Sequence, residues 1–242
     1  MSISIRTFPT YRHVGKTDFR KKTAVVVDVL RATSTITTAL SNGCLDVTPV
    51  KHIGDAFAQK NEYADGVTAY IGGERGGRKV DGFDLGNSPL EYSQEKVNGC
   101  HLVLCTTNGT QAIAKAEYSD FMFMGCLNNV SAVAEAAADA GRDIIILCSG
   151  TELEFSIDDV VAAGAVIDRM LSAGADIDLD DLGATALYLY RENRNDIMKL
   201  IGMSKPFRIL SSLGAEKDIE YCIREDIKTN VPVYKNGKIV NL

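Results

Sequence analysis

Histidine is nearly absent from this chain: His13, His52 and His101 are the only three in 242 residues, far apart and in no metal-ligand spacing. That scarcity weighs against zinc-hydrolase and histidine-phosphatase chemistry, which depend on well-placed imidazoles. Basic residues are outnumbered, 26 Lys and Arg against 32 Asp and Glu, giving a formal net charge of −6. This balance excludes a general nucleic-acid binder, because backbone affinity rests on clustered Lys and Arg. No apolar stretch approaches the roughly 18–20 residues of a membrane span, and residues 1–10 lack the apolar core of a signal peptide. None of the six cysteines, at 44, 100, 105, 126, 148 and 222, stands in a C-x-x-C pair. The expectation is a cytoplasmic protein with reduced cysteines, no nucleic-acid partner and no membrane partner.

Motifs that fix a reaction class are missing too. There is no G-x-x-x-x-G-K-[ST] loop and no G-x-S-x-G elbow. No cysteine is followed six positions later by Arg, so a cysteine-phosphatase loop is absent. Asp28 follows a predicted strand as in haloacid-dehalogenase-type phosphatases, but Leu30 stands where those enzymes carry a second Asp.

What remains is an ordinary globular composition, 45% hydrophobic and 24% charged, long enough for a large core. Segments 23–30, 101–105, 121–124 and 143–148 are short apolar runs, of Val, Ile and Leu except for the Phe-Met run at 121–124, the pattern of strands covered on both faces. Between them lie helical patterns at 34–40, 54–64, 110–118, 130–140 and 157–173. For the last, Ser156 with Asp159 predicts a near capping box, and Gly174 a stop. Strand-then-helix repetition predicts α/β architecture: a three-layer α/β/α sandwich around a largely parallel, mixed central sheet. The chain from about 175 is more helical and ends in a tail with an Asn236-Gly237 hairpin signal, expected at an antiparallel edge. With no linker, residues 1–242 read as one domain; the late helices and the tail are the expected surface of a homodimer.

Three strand ends run into turns of small polar residues: 27–35, 104–110 and 147–151. Ligands in open α/β sheets bind at the carboxyl ends of strands. Asp28 interrupts an apolar run, where an unpaired carboxylate is expensive. It is either a metal or catalytic group, or the partner of a nearby base such as Arg31. Arg31, Thr33, Ser34 and Thr35 supply a guanidinium, hydroxyls and helix amides suited to anionic oxygens. Thr106, Thr107, Asn108, Gly109 and Thr110 offer a second such turn, unless their hydroxyls only cap a helix. Residues 72–86 hold six glycines beside Glu74, Arg75, Arg78 and Lys79. Such a loop either moves freely in solvent or brings its backbone close to a ligand. Asp158 and Asp159 favour the dipole of the helix they start, and also reach the same edge. Many carboxylates with little histidine point to Mg2+.

The segments V-V-V-D-V-L-R-A-T-S-T (25–35), I-G-G-E-R-G-G (71–77), G-F-D-L-G-N-S-P (82–89), C-T-T-N-G-T (105–110) and I-D-D-V-V-A-A-G (157–164) together resemble the 2-phosphosulfolactate phosphatase family of coenzyme M biosynthesis. They lie in order over about 140 residues. The resemblance implies an α/β/α fold and Mg2+-dependent hydrolysis of 2-phospho-3-sulfolactate, a small anionic phosphate ester. On that reading Asp28, Arg31 and Asn108 are catalytic, and Asp28, Glu74 and Asp159 hold the metal. Thr33, Ser34, Arg75, Arg78, Thr106, Thr107, Gly109 and Thr110 contact substrate. Attack comes from water or from a side chain, with Asp28 and Cys105 the candidate nucleophiles. The alternatives are a phosphatase for another small phosphorylated hydroxy acid and a non-catalytic anion-binding protein.

Overall fold

Runs of Val, Ile and Leu become strands, and the segments between them wind into helices that cover the sheet. The computed structural model describes residues 2–242. The first half holds β1 (Ile3–Phe8), β2 (Thr23–Val27), α1 (Ala32–Ser41), β3 (Asp46–Pro49), α2 (Ile53–Asn61), β4 (Ala69–Arg75), β5 (Arg78–Lys79) and α3 (Gln94–Val97). Next come β6 (His101–Cys105), α4 (Gly109–Lys115), β7 (Phe121–Gly125), α5 (Val130–Asp139), β8 (Ile144–Cys148), α6 (Ile157–Ser172) and β9 (Ile177–Leu179). The last third holds α7 (Asp181–Asn193), α8 (Ile197–Ile201), α9 (Lys205–Ser212), α10 (Glu216–Cys222), β10 (Pro232–Lys235) and β11 (Lys238–Asn241).

The strands form one sheet in the order β5-β4-β6-β3-β11-β10-β7-β2-β8-β1-β9. Pairing is parallel within β4-β6-β3 and within β7-β2-β8-β1-β9, and antiparallel through β10 and β11. The C-terminal hairpin therefore does not lie at an edge. It sits mid-sheet and joins two parallel halves, with Val233 facing Phe123 on one side and Ile239 facing Val47 on the other. Asn236 and Gly237 do make its turn, with φ of 51° and 86° as a type I′ hairpin requires. Both outer edges of the hairpin are already paired, so it is not free to extend a sheet across a dimer.

Alternation along the central strands assigns each residue to one of two cores. Val25 and Val27 of β2 pack under α5, α6 and α7, whereas Ala24 and Val26 face α1 and α4. This makes the three layers. A smaller cluster of Ala56, Ile71, Phe83, Val103 and Cys105 seats α2 on the β4–β6 end. α6 ends as expected, with Gly174 at φ 87°. Its start differs: Ser156 does not cap the helix but donates its hydroxyl to Asp158, and Asp159 turns back to the sheet. All six cysteines are buried and free. Among the described residues no helix is long and apolar enough to cross a membrane.

Candidate active site

The carboxyl ends of β2, β4, β6 and β8 converge on one cleft. Asp28 follows the last residue of β2. Its Oδ1 accepts the Ala32 amide at 3.1 Å, and the Thr33 hydroxyl closes the turn by donating to the Asp28 carbonyl at 2.8 Å. Its Oδ2 lies against Gly109, where an added Cβ would come within 2.7 Å of that oxygen and 2.5 Å of the Ala32 methyl. Glycine at the head of α4 thus makes the space in which Asp28 stands. Asp158 and Asp159, in the first turn of α6, and Glu74 line the same cleft.

These carboxylates differ in what they already hold. Asp159 accepts the Val29 amide through Oδ1 and the Gly150 amide through Oδ2, both at 2.9 Å, so it ties the ends of β2 and β8 together. Glu74 accepts the Thr107 amide at 2.7 Å and the Gly77 amide at 2.9 Å, binding the β4–β5 turn to the turn after β6. Asp28 accepts the Ala32 amide on Oδ1, and Asp158 accepts the Ser156 hydroxyl. Burial pushes Asp28 up to about 7, with Asp158 and Glu74 adding repulsion against the pull of the Ala32 amide. Burial likewise lifts Asp158 to about 6 against the Ser156 hydroxyl, and Asp159 rises well above the usual range through burial and then Asp158 and Asp28. Negative charge is crowded here beyond what the protein itself neutralises.

Opposite charge comes from Arg31, 6% exposed at the N-terminus of α1. It does not pair with Asp28. Its Nη1 donates to Asp218 of α10 at 2.6 Å and its Nη2 to the Gly77 carbonyl at 2.7 Å. Pro206, Ile209 and Leu210 of α9 form an apolar wall, and at the rim Lys205 pairs with Glu152. Asn87, Asn108 and Thr107 complete the polar lining.

Of the residues expected here, Asp28, Arg31, Glu74, Thr107, Asn108 and Asp159 line the cleft, and Gly109 abuts Asp28. The others do not line it. The Thr33 and Ser34 hydroxyls donate to the Asp28 and Val29 carbonyls, and Thr106 and Thr110 bond to one another. They brace the turns, and none of the four lines the cleft. Arg75 is drawn away by the carbonyls of Glu74, Lys51 and Cys105 and by the Cys105 sulfur at 3.1 Å. Arg78, exposed on β5, lines an adjoining open groove with Lys79 and Lys217, which shares Arg31 and Gly77 with the cleft. Cys105 is fully buried with its thiol pushed up by burial, which suits packing and not attack. The glycine loop is likewise divided between packing and cleft. A Cβ on Gly73, at φ 143°, would meet the Cys105 carbonyl oxygen at 2.0 Å, so that glycine serves strand packing, while Gly76 and Gly77 face the cleft.

Asp158, Asn87, Asp218 and the α9 wall were not singled out as site residues from the sequence. Asp158 had a signal, a second carboxylate beside Asp159. Ser204 with Pro206 is a readable helix start for α9. Nothing local marks Asp218.

Residues 9–237 match the model of the 2-phosphosulpholactate phosphatase family. A protein of Caldanaerobacter subterraneus subsp. tengcongensis is 40% identical over 233 residues, 96% of each chain. One from Clostridium acetobutylicum is 43% identical over 221 residues, 91% of this chain and 93% of its own. One from Clostridium novyi is 44% identical over 221 residues, 91% and 92% respectively. All three carry the name "Probable 2-phosphosulfolactate phosphatase".

Proposed function

The chain belongs to the 2-phosphosulfolactate phosphatase family, and from that premise we propose that it hydrolyses 2-phospho-3-sulfolactate to 3-sulfolactate and inorganic phosphate. The observation that carries the reading is the pair Asp28 and Asp158, two buried carboxyls lining one cleft beside Glu74 and Asp159, with burial raising both. Two unit charges about 4 Å apart interact by about 4 kcal/mol at an effective dielectric near 20. A phosphate ester bearing two further acid groups would be repelled from such a cleft unless a cation came with it.

The donor set fits Mg2+. That ion keeps most of its waters and is held by one or two carboxylates plus substrate phosphate. Among the described residues no three of His, Cys, Asp or Glu gather into a ready-made metal site, so the proposal gives the ion to Asp28 and Asp158. Glu74 and Asp159, each already holding two backbone amides from neighbouring turns, are given the bracing role. Bound there, Mg2+ supplies charge neutralisation to the phosphoryl oxygens. Arg31, locked by Asp218, adds a fixed positive charge where oxygen charge develops. Water attacks phosphorus, the bond to the C2 oxygen breaks, and the proton released by water ends on that oxygen.

The test is phosphate release from 2-phospho-3-sulfolactate and from 2-phospholactate, each with Mg2+ and with EDTA. Release only from the sulfonated ester and only with Mg2+ supports the whole reading. Equal release from 2-phospholactate removes the sulfonate specificity, and no release from any ester removes the enzyme.

A further inference from the structure

We propose that the open groove beside the cleft draws the multiply charged substrate in, with Arg78, Lys79 and Lys217 setting the rate of capture; this rests on the phosphatase reading above. The groove is lined by Arg31, Arg78, Lys79 and Lys217, with Asp218 the one carboxylate among its lining residues. Arg31 and Asp218 pair with each other at 2.6 Å. The other three cations are exposed, and among the described residues none of them has a carboxylate within ion-pairing distance. The cleft beside it has the opposite character, gathering Asp28, Glu74, Asp158 and Asp159 in a chain of net charge −6. A phosphate ester that also bears a sulfonate and a carboxylate is repelled by that cleft and by the chain as a whole. The groove is where the field attracts it.

The fold holds these charges together. β5 carries Arg78 and Lys79 on one wall, and α10 carries Lys217 on the other. In the β4–β5 pair Arg78 stands directly opposite Arg75, a placement of like charges that costs stability. Arg75 is satisfied by the carbonyls of Glu74, Lys51 and Cys105, so the uncompensated charge is the one on Arg78, in the groove. A Cβ on Gly77, at φ 81°, would meet Leu213 Cδ1 at 2.8 Å, so the turn before β5 sits directly on the turn before α10. Arg31 joins the same two walls, donating Nη1 to Asp218 and Nη2 to the Gly77 carbonyl. Arg31 and Gly77 also line the cleft, so the groove opens into it at that seam. An anion collected by the three outer cations therefore arrives beside Arg31, at the entrance to the carboxylate cluster. Exposed charges act over about 10 Å at 0.1 M salt, and fields of this kind raise association rates by about ten- to a thousandfold.

The test is the salt dependence of kcat and kcat/KM for phosphate release from 2-phospho-3-sulfolactate, at fixed Mg2+, between about 20 and about 500 mM KCl. The wild-type chain is compared with a groove variant carrying Arg78→Gln, Lys79→Gln and Lys217→Gln. A control carrying Arg20→Gln, Lys21→Gln and Arg142→Gln removes as much charge at the amino ends of β2 and β8. Thermal melts report folding. At low salt the groove variant is expected to lose about tenfold in kcat/KM with kcat within about twofold of wild type, and at high salt to match wild type within about twofold. The control is expected to stay within about twofold of wild type throughout. Should the groove variant melt early, Lys217→Gln alone is expected to lose about twofold in kcat/KM, again only at low salt. Wild-type kcat/KM at low salt, a loss that persists at high salt or falls on kcat, or an equal loss in the control overturns the steering role while phosphatase activity stands. A wild-type chain that releases no phosphate overturns the phosphatase reading itself, and this inference with it.

Discussion

Arg31 and Asp218 stand 187 residues apart in sequence and meet at 2.6 Å, each less than a tenth exposed. The contact joins the helix that follows β2 to the late helical block, and gives that block a part in the site. Removing one partner of a buried pair leaves an uncompensated charge, typically at about 3–5 kcal/mol. Asp218→Asn is therefore expected to lower the urea-unfolding free energy by about 3 kcal/mol and to reduce kcat/KM at least about tenfold. Unchanged stability with unchanged kinetics would show the pair to be idle.

Gly109 controls the space around Asp28. A methyl group there meets the Ala32 methyl at 2.5 Å and Asp28 Oδ2 at 2.7 Å. Overpacking of this kind costs about 1–3 kcal/mol, so Gly109→Ala is expected to fold but to lose most of its phosphate release. The comparison is turnover at a temperature well below the variant's melting point, and wild-type turnover there would mean that the carboxylate has room to shift.

The carboxylate cluster sets the pH response. Folding raises Asp28 from 3.8 to about 7 and Asp158 from 3.8 to about 6. Between about pH 4 and 7 the folded state then holds more protons than the unfolded one, so stability without metal falls as pH rises through that window. Mg2+ competes with those protons. It is expected to raise Tm at pH 8 and to do little at pH 5, where both carboxyls are protonated. Equal Mg2+ shifts at the two pH values would take the ion away from Asp28 and Asp158.

The hairpin's place in the sheet carries a consequence for folding. With β10 against β7 and β11 against β3, deleting residues 231–242 removes the link between two parallel half-sheets. The shortened chain is expected to lose cooperative unfolding by circular dichroism. A sharp, wild-type-like transition would mean that the halves hold together through helices alone.

Much of this was legible in the sequence because it is local. A valine run marks β2 and an isoleucine run β8, Asn236-Gly237 marks a turn, and a carboxylate in an apolar run marks Asp28. The hairpin's mid-sheet position was not legible, since pairing with β3 and β7 is decided by contacts far along the chain. Hydroxyls fared similarly. A Thr that braces its own turn and one that faces a ligand read alike, so Thr33, Ser34, Thr106 and Thr110 looked like substrate contacts until their partners were visible. The amide bonds of Glu74 and Asp159 were hidden in the same way, since the amides that they accept belong to other turns.

The most direct measurement is phosphate release from 2-phospho-3-sulfolactate, with Mg2+, by the wild-type chain and by Asp28→Asn, each first shown to be folded. The wild-type chain is expected to turn over, and Asp28→Asn to lose at least about a hundredfold in kcat. The variant is also expected to melt no lower than wild type in metal-free buffer at pH 8, because it removes a buried charge that the protein does not offset. A folded Asp28→Asn that released phosphate at the wild-type rate would contradict the placement of the reaction in this cleft.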